Sequence, residues 1–234
     1  MVALGIANNS YDERPTDTRT PCLRDTAEWF PSIPDESLCL NESSYAEKQR
    51  RPLEYRPLAV VLFGGSKGVH LRKLIGITLW ARHGQVCGMD FIYNTDIDGR
   101  KVHTLGLSGP LADAQSDLFG IYERTEEHKF DFQIDGRGGE LITGIDMPER
   151  DRSDIELRGV DMYGLRIHTN RGRMASFVAP VEDYDLYDFP RDLAPFAHVE
   201  IALSTTITGF YGYQWYDNSL SILGVISERL DSTS

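Results

Sequence analysis

From Arg56 onward, short apolar runs alternate with breaks made of glycine or charged residues. The runs are LAVVLF, KLIGITLW, QVCGMDFIY, KVHTLGL, KFDFQI, ELITGIDM, YGLRIHT, RMASFV, HVEIAL, STTITGFYG and LSILGVIS. Runs of this length, rich in β-branched and aromatic residues and without helical periodicity between them, are typical of antiparallel strands. The pattern predicts an all-β domain of about twelve strands.

Three of these runs share an apolar-Gly-apolar core. Their glycines, Gly76, Gly144 and Gly209, are 68 and 65 residues apart, and each run is followed by a second run that opens on glycine and an apolar residue. Near-equal spacing of a paired-strand signature predicts three similar sheets whose apolar faces enclose one core. We interpret the repeat glycines as architectural, because glycine permits a bulge or a close backbone approach.

The first part of the chain has a different texture. Residues 1–55 contain five prolines and no sustained periodicity, which predicts a mostly irregular arm beside a domain at 56–230. Trp29 and Leu38 are among several apolar residues that do not suit a solvated tail, so we expect the arm to dock on the domain. A short helix is expected in SSYAEKQRR.

Composition narrows the range of partners. The chain has 234 residues, of which 41% are hydrophobic, and its net charge is -12 with a pI near 4.9. Such a chain can form a sizeable core, and its charge argues against nucleic acid as a partner. The N-terminus lacks the pattern of a secretory signal, no apolar stretch is long enough to span a bilayer, and three irregularly spaced cysteines suit reduced thiols. We therefore expect a cytoplasmic protein that does not associate with membranes.

Several segments resemble one known family. LFGGSKGVHLRKLIGITLWARHGQVCGMDFIYN resembles the opening of a jacalin-related lectin domain, in which a glycine pair precedes a strand, a turn and a strand that ends in tyrosine. FDFQIDGRGGELITGI is similar to that family's second repeat, and TITGFYGYQWYDNSLSILGV is similar to its closing segment. The resemblance covers Leu58 to Glu228. The closing segment and RIHTNRGR also resemble fungal jacalin-like proteins without assigned function. The resemblance implies a β-prism I fold, with three four-stranded Greek-key sheets in pseudo-threefold symmetry.

The resemblance also implies a shallow carbohydrate site at one end of the prism. Carried over by position, the ligand-binding residues are Gly64, Gly65, Asp217, Asn218, Ser219 and Ser221, and the loop aromatics Trp215 and Tyr216 are added as candidates from their own chemistry. Ser221 stands where the family has an aspartate that accepts hydrogen bonds from two sugar hydroxyls. A neutral hydroxyl binds more weakly than a carboxylate, so Asp217 is the candidate replacement in a loop that is longer than usual.

The loop aromatics have two interpretations. Trp215 and Tyr216 on the surface would stack against the C–H faces of a sugar or against a protein, whereas inside the prism they would only fill the core. We favour the surface position.

Other candidate chemistry is sparse. The six histidines show no metal-ligand spacing along the sequence, so no metal or cofactor is expected. Catalysis stays open, and His168 and Asp146 are the first acid or base candidates because they interrupt apolar runs; the alternative is that they face solvent. Arg171 and Arg173 flank a glycine turn and could hold a carboxylate or phosphate, or simply be solvated.

Three functional hypotheses follow from these patterns. The first is a non-catalytic module that recognises a glycan or a protein surface through its end loops. The second is an enzyme or accessory protein that acts on a small molecule, for example in fungal secondary metabolism, with the arm closing a pocket. The third is a structural interaction domain within an assembly. An unpaired sheet edge would also favour a homo-oligomer.

Overall fold

The computed structural model describes residues 22–42, 58–82, 84–106, 127–148, 162–180, 195–214 and 220–230. In these ranges the arm forms one helical turn, Leu23–Thr26, and two short strands, β1 (Trp29–Phe30) and β2 (Cys39–Asn41). The remaining strands are β3 (Leu58–Val61), β4 (Leu74–Arg82), β5 (Gln85–Ile97), β6 (Arg100–Gly106), β7 (His128–Gln133), β8 (Ile142–Pro148), β9 (Gly164–Thr169), β10 (Met174–Val178), β11 (Phe196–His198), β12 (Thr206–Gln214) and β13 (Leu220–Glu228). Within the described ranges, no helix has the length and apolar character needed to cross a membrane.

The strands form three sheets. The first sheet has the order β1-β3-β12-β13-β2, the second β6-β5-β4-β7, and the third β10-β9-β8-β11. The hairpins β12–β13, β4–β5 and β8–β9, which carry the three repeat glycines, lie at the centre of their sheets. The predicted all-β prism of three related sheets is confirmed.

A register shift lies directly before each repeat glycine. The shifts precede Gly76, Gly144 and Gly209 in their hairpins. A Cβ at Gly209 would lie 2.7 Å from the carbonyl oxygen of Val61, and one at Gly144 would lie 2.7 Å from the ring of His198. The glycines therefore combine a β-bulge with a close approach, as the sequence predicted.

One predicted strand lies at a different position. The run HVEIAL predicts a strand that begins at His198, whereas β11 ends there. The backbone N–H of Val199 still donates to the carbonyl of Ile145 at 2.9 Å, and the chain then turns, with the N–H of Thr205 donating to Ala202 at 3.2 Å. The turn removes the rest of this apolar run from the sheet.

The arm contributes a strand to the repeat pattern. In the second and third sheets, β6 and β10 flank the second strand of the central hairpin, and β2 takes the same antiparallel position beside β13. The side-chain amide of Asn41 donates to the carbonyl of Val225 and to the hydroxyl of Ser227, both at 3.1 Å. The described part of the arm, which the sequence predicts to be mostly irregular, thus includes two short strands, β1 and β2. The predicted boundary at residues 55 and 56 and the helix in SSYAEKQRR lie outside the described residues.

The space between the sheets is filled by apolar side chains. At its centre, the rings of Phe63 and Phe91 stack with centroids 4.5 Å apart, and Phe210 lies 5.6 Å from Phe63. All three are fully buried, and the third sheet adds side chains such as Ile145 and Leu165 to the same core. The described side chains between the sheets thus form one packed apolar core.

The arm covers the outer face of the first sheet. Tyr211 and Tyr213 point away from the central core and are buried by arm side chains that include Trp29 and Leu38. The rings of Trp29 and Tyr211 meet edge to face at 5.5 Å, and the ring of Tyr211 lies across Gly224, where a Cβ would come within 2.0 Å of it. We call this second apolar group the arm cluster.

Candidate functional site

The glycine loop follows β3 and leads into a 3-10 turn at Ser66–Gly68. The N–H of Gly64 donates to the carbonyl of Thr208 at 2.8 Å, and Gly65 has a φ of 66°. A Cβ at Gly65 would lie 2.6 Å from Nδ1 of His70. Glycine is needed here because the chain adopts a left-handed conformation while it passes close to that ring.

Two amides of the same loop bind a carboxylate of the protein itself. The N–H groups of Lys67 and Gly68 donate to the carboxylate of Glu228 at 2.9 and 3.2 Å. Successive amides of this kind form a concavity suited to an anion, and the buried Glu228 at the end of β13 fills it. These amides therefore stabilise the fold and are not open to a sugar.

The last loop lies largely outside the described residues. This applies to Trp215, Tyr216, Asp217, Asn218 and Ser219. Ser221 lies within β13 rather than in the loop, and the strand ends Gln214 and Leu220 are paired with each other. A ligand-binding role for any of these residues stays a prediction.

The described backbone does not bring the glycine loop together with the strand ends that carry the last loop. Gly64 is bonded to Thr208, whereas residues 215–219 depart from Gln214, six residues further along β12. At the rise of an extended strand this separation is about 20 Å. We call the two ends of the prism the glycine end and the hairpin end. The hairpin end also holds the start of β5, where the N–H of Val86 donates to the carbonyl of Met162 at 2.6 Å.

The two candidate arginines bind carboxylates that belong to the chain. Arg173 pairs at 2.9 Å with Glu140, whose side chain is fully buried, and Arg171 pairs at 2.9 Å with Asp135. The backbone N–H of Gly138 and the Arg171 guanidinium hold the pKa of Asp135 below its ordinary value. The two ion pairs thus stabilise the turn before β8.

The structure brings the two candidate acid or base residues into contact and adds a third. Nε2 of His168 lies 2.7 Å from one carboxylate oxygen of Asp146, and Nδ1 of His198 lies 2.8 Å from the other. Burial raises the pKa of Asp146, but the hydrogen bonds from His198 and His168 outweigh burial, so the pKa is lowered overall. The two histidines thus meet at one carboxylate although their spacing along the sequence shows no metal-ligand pattern, and His198 was missed because it is distant in sequence.

Comparison with known proteins finds solved structures of low similarity and no match in sequence. No protein-family model matches the chain, and no curated protein matches its sequence. A prostate-specific WGA16 glycoprotein lectin aligns with a TM-score of 0.44 and 14% identity, over 74% of this chain and 91% of that chain.

Two plant lectins are similar to the chain at the same level. Frutapin, a lectin from Artocarpus incisa, aligns with a TM-score of 0.40 and 14% identity, over 67% of this chain and 83% of its own. A mannose-specific jacalin-related lectin from Morus nigra aligns with a TM-score of 0.39 and 13% identity, over 67% and 80%. The β-prism assignment rests on the three sheets described above, and the resemblance to jacalin-related lectins is one of fold.

Proposed function

We propose that the protein is a non-catalytic module that binds a carbohydrate through loops at the hairpin end of the prism. The observation that carries this proposal is the packed interior, where the stack of Phe63, Phe91 and Phe210 leaves ligand recognition to the surface. A shallow surface site suits a glycan, whose hydroxyls and C–H faces are read by polar groups and aromatic rings.

Elimination favours the hairpin end over the other surfaces considered. The outer face of the first sheet is covered by the arm cluster. At the glycine end, the amides of Gly64, Lys67 and Gly68 are bonded to Thr208 and Glu228. The hairpin end carries the loop in which the sequence places two aromatic side chains and a carboxylate.

The second hypothesis, in which the arm closes a pocket, has less support. The described arm residues pair with strand edges and pack on an outer sheet face, since β1 joins β3 and β2 joins β13. Side chains used in this way are not available as a lid over a small molecule. We therefore place the binding module first.

The proposal is tested on the full chain by a glycan array followed by isothermal titration calorimetry with the best sugar. Trp215→Ala and Asp217→Asn should each weaken binding about tenfold or more, because each removes a stacking face or a charge-assisted hydrogen bond. Val102→Ala, on an exposed position of β6, is the control and should bind like the unchanged protein. A further variant, Lys67→Gly, tests the glycine end. It removes a side chain there without backbone strain, since Lys67 has a φ of 57° and glycine adopts this conformation readily.

Two results would contradict the proposal. The first is an array with no bound sugar, and the second is unchanged affinity in both loop variants. A loss of affinity in Lys67→Gly alone would move the site to the glycine end.

A further inference from the structure

Three polar side chains from neighbouring strands meet on the third sheet. Asp146 is paired with His198 across β8 and β11, and Gly144 is paired with His168 across β8 and β9. Because side chains alternate along a strand, Gly144, Asp146 and the two histidines share one face of the sheet. The intervening Ile145 is fully buried, so the shared face is the outer one.

Gly144 makes room for one of the two rings. A Cβ at this position would lie 2.7 Å from Cε1 and 3.4 Å from Nε2 of His198. The imidazole therefore lies over the glycine, and in this position its Nδ1 reaches Asp146. A larger residue at 144 would push the ring away from the carboxylate.

We propose that Asp146, His168 and His198 bind a divalent transition-metal ion of the Zn²⁺ class. One donor atom from each residue can be chosen so that all lie within 4.8 Å of one another. Two imidazole nitrogens and a carboxylate form a donor set that Zn²⁺ uses in sites with three protein ligands and one open position. The inference is independent of carbohydrate binding at the hairpin end.

The exposure of the three side chains fits such a site. The carboxylate is 13% exposed and held in place, whereas His168 is 33% and His198 60% exposed. A bound ion would thus be held by the largely buried carboxylate of Asp146 and would be accessible to water or a ligand on its solvent side. Arg166 lies opposite Asp146 in the register of β8 and β9, and its guanidinium group lies over the ring of Phe196, 4.1 Å from the ring centroid.

Movements of up to about 1.5 Å separate the observed donor atoms from the spacing of a coordinated ion. Ligand atoms around a tetrahedral zinc ion are about 3.3 Å apart, given metal–ligand distances near 2 Å. The nitrogen–oxygen contacts of 2.7 and 2.8 Å, which reach different oxygens of Asp146, must therefore widen by about half an ångström, and donor atoms that lie up to 4.8 Å apart must approach by up to about 1.5 Å. The exposed ring of His198 can rotate enough to provide this change.

The test uses the untagged full chain, stripped of metal with a chelator and titrated with Zn²⁺ in a calorimeter. We expect one Zn²⁺ per chain, and a loss of affinity of about tenfold or more in His168→Ala, His198→Ala and Asp146→Asn. Gly144→Ala keeps all three donors but displaces the His198 ring, so it should also weaken binding. His128→Ala, at the start of β7, is the matched histidine control and should not.

A second measurement makes the result independent of variant folding. Co²⁺ bound to the unchanged protein should show the intense visible absorption of a low-coordinate site, and added Zn²⁺ should remove it. Circular dichroism verifies that each variant keeps its sheet content. The proposal is overturned if the unchanged protein shows no saturable Zn²⁺ binding, or if the triple variant Asp146→Asn, His168→Ala, His198→Ala binds Zn²⁺ equally well.

Discussion

Replacing Leu38 with alanine should destabilise the whole domain, although Leu38 lies in the N-terminal arm. Its side chain is 5% exposed and packs in the arm cluster with Leu58, Tyr211, Tyr213 and Ile226. Removal of three buried carbon groups costs about 2 kcal/mol in transfer free energy, and the cavity raises the total to about 3 kcal/mol. In a chain of this size, that loss lowers the melting temperature by about 6 to 12 °C.

The assay is urea denaturation followed by both circular dichroism and tryptophan fluorescence. Ile33→Ala is the control, because Ile33 lies in the same arm but is 55% exposed, and it should change the free energy of unfolding by less than about 0.5 kcal/mol. The two probes should give coincident transitions if the arm unfolds with the prism. Equal stability of the two variants, or an earlier fluorescence transition, would refute the view that the arm is part of the cooperative unit.

Three further perturbations test other contacts of the fold. Gly224→Ala should lower the free energy of unfolding by about 2 kcal/mol, because its Cβ meets the Tyr211 ring, and the double variant with Tyr211→Ala should lose less than the sum of the single losses. Glu228→Gln should lower the melting temperature, since two backbone amides lose a charged acceptor; an unchanged melting curve would contradict this. The folded-state pKa of Asp135 is lowered, so its contribution is present above pH 4 and is lost as pH falls through the folded pKa. Asp135→Asn should therefore lose less stability than the unchanged protein between about pH 5 and pH 2 in melting experiments.

The sheets could be predicted from the sequence because their signals are local. An apolar-Gly-apolar run identifies each central hairpin, and the bulge before each of Gly76, Gly144 and Gly209 follows from the glycine itself. The strands of the arm carry no such signal. They have two and three residues, and they become strands because partners from distant parts of the chain lie beside them.

The histidine cluster could not be found from spacing, but the repeat contained a relevant signal. The position two residues after each repeat glycine lies on the outer face of its sheet. In the second sheet this residue is Thr78, whose hydroxyl donates to Asp131 on β7 at 2.6 Å. β11 flanks β8 in the third sheet as β7 flanks β4 in the second. Alignment of β11 with β7 would therefore have placed His198 opposite Asp146, as Asp131 lies opposite Thr78.

The proposed carbohydrate site was the least predictable part. The glycine loop and the last loop both adjoin strands of the first sheet. Because β3 runs antiparallel to β12, however, the two loops lie at opposite ends of β12. Direction is set by which strand pairs with which, and the sequence pattern does not contain that information.

The position of β2 also constrains when the protein can complete its structure during synthesis. Asn41 and Val225 are hydrogen-bonded neighbours although 184 residues separate them. The segment 39–41 leaves the ribosome long before its partner strand has been made, and closing so long a loop delays the pairing further. The nascent chain therefore carries an unsatisfied strand and the apolar side chains around it through most of translation, and the first sheet is the last of the three to close.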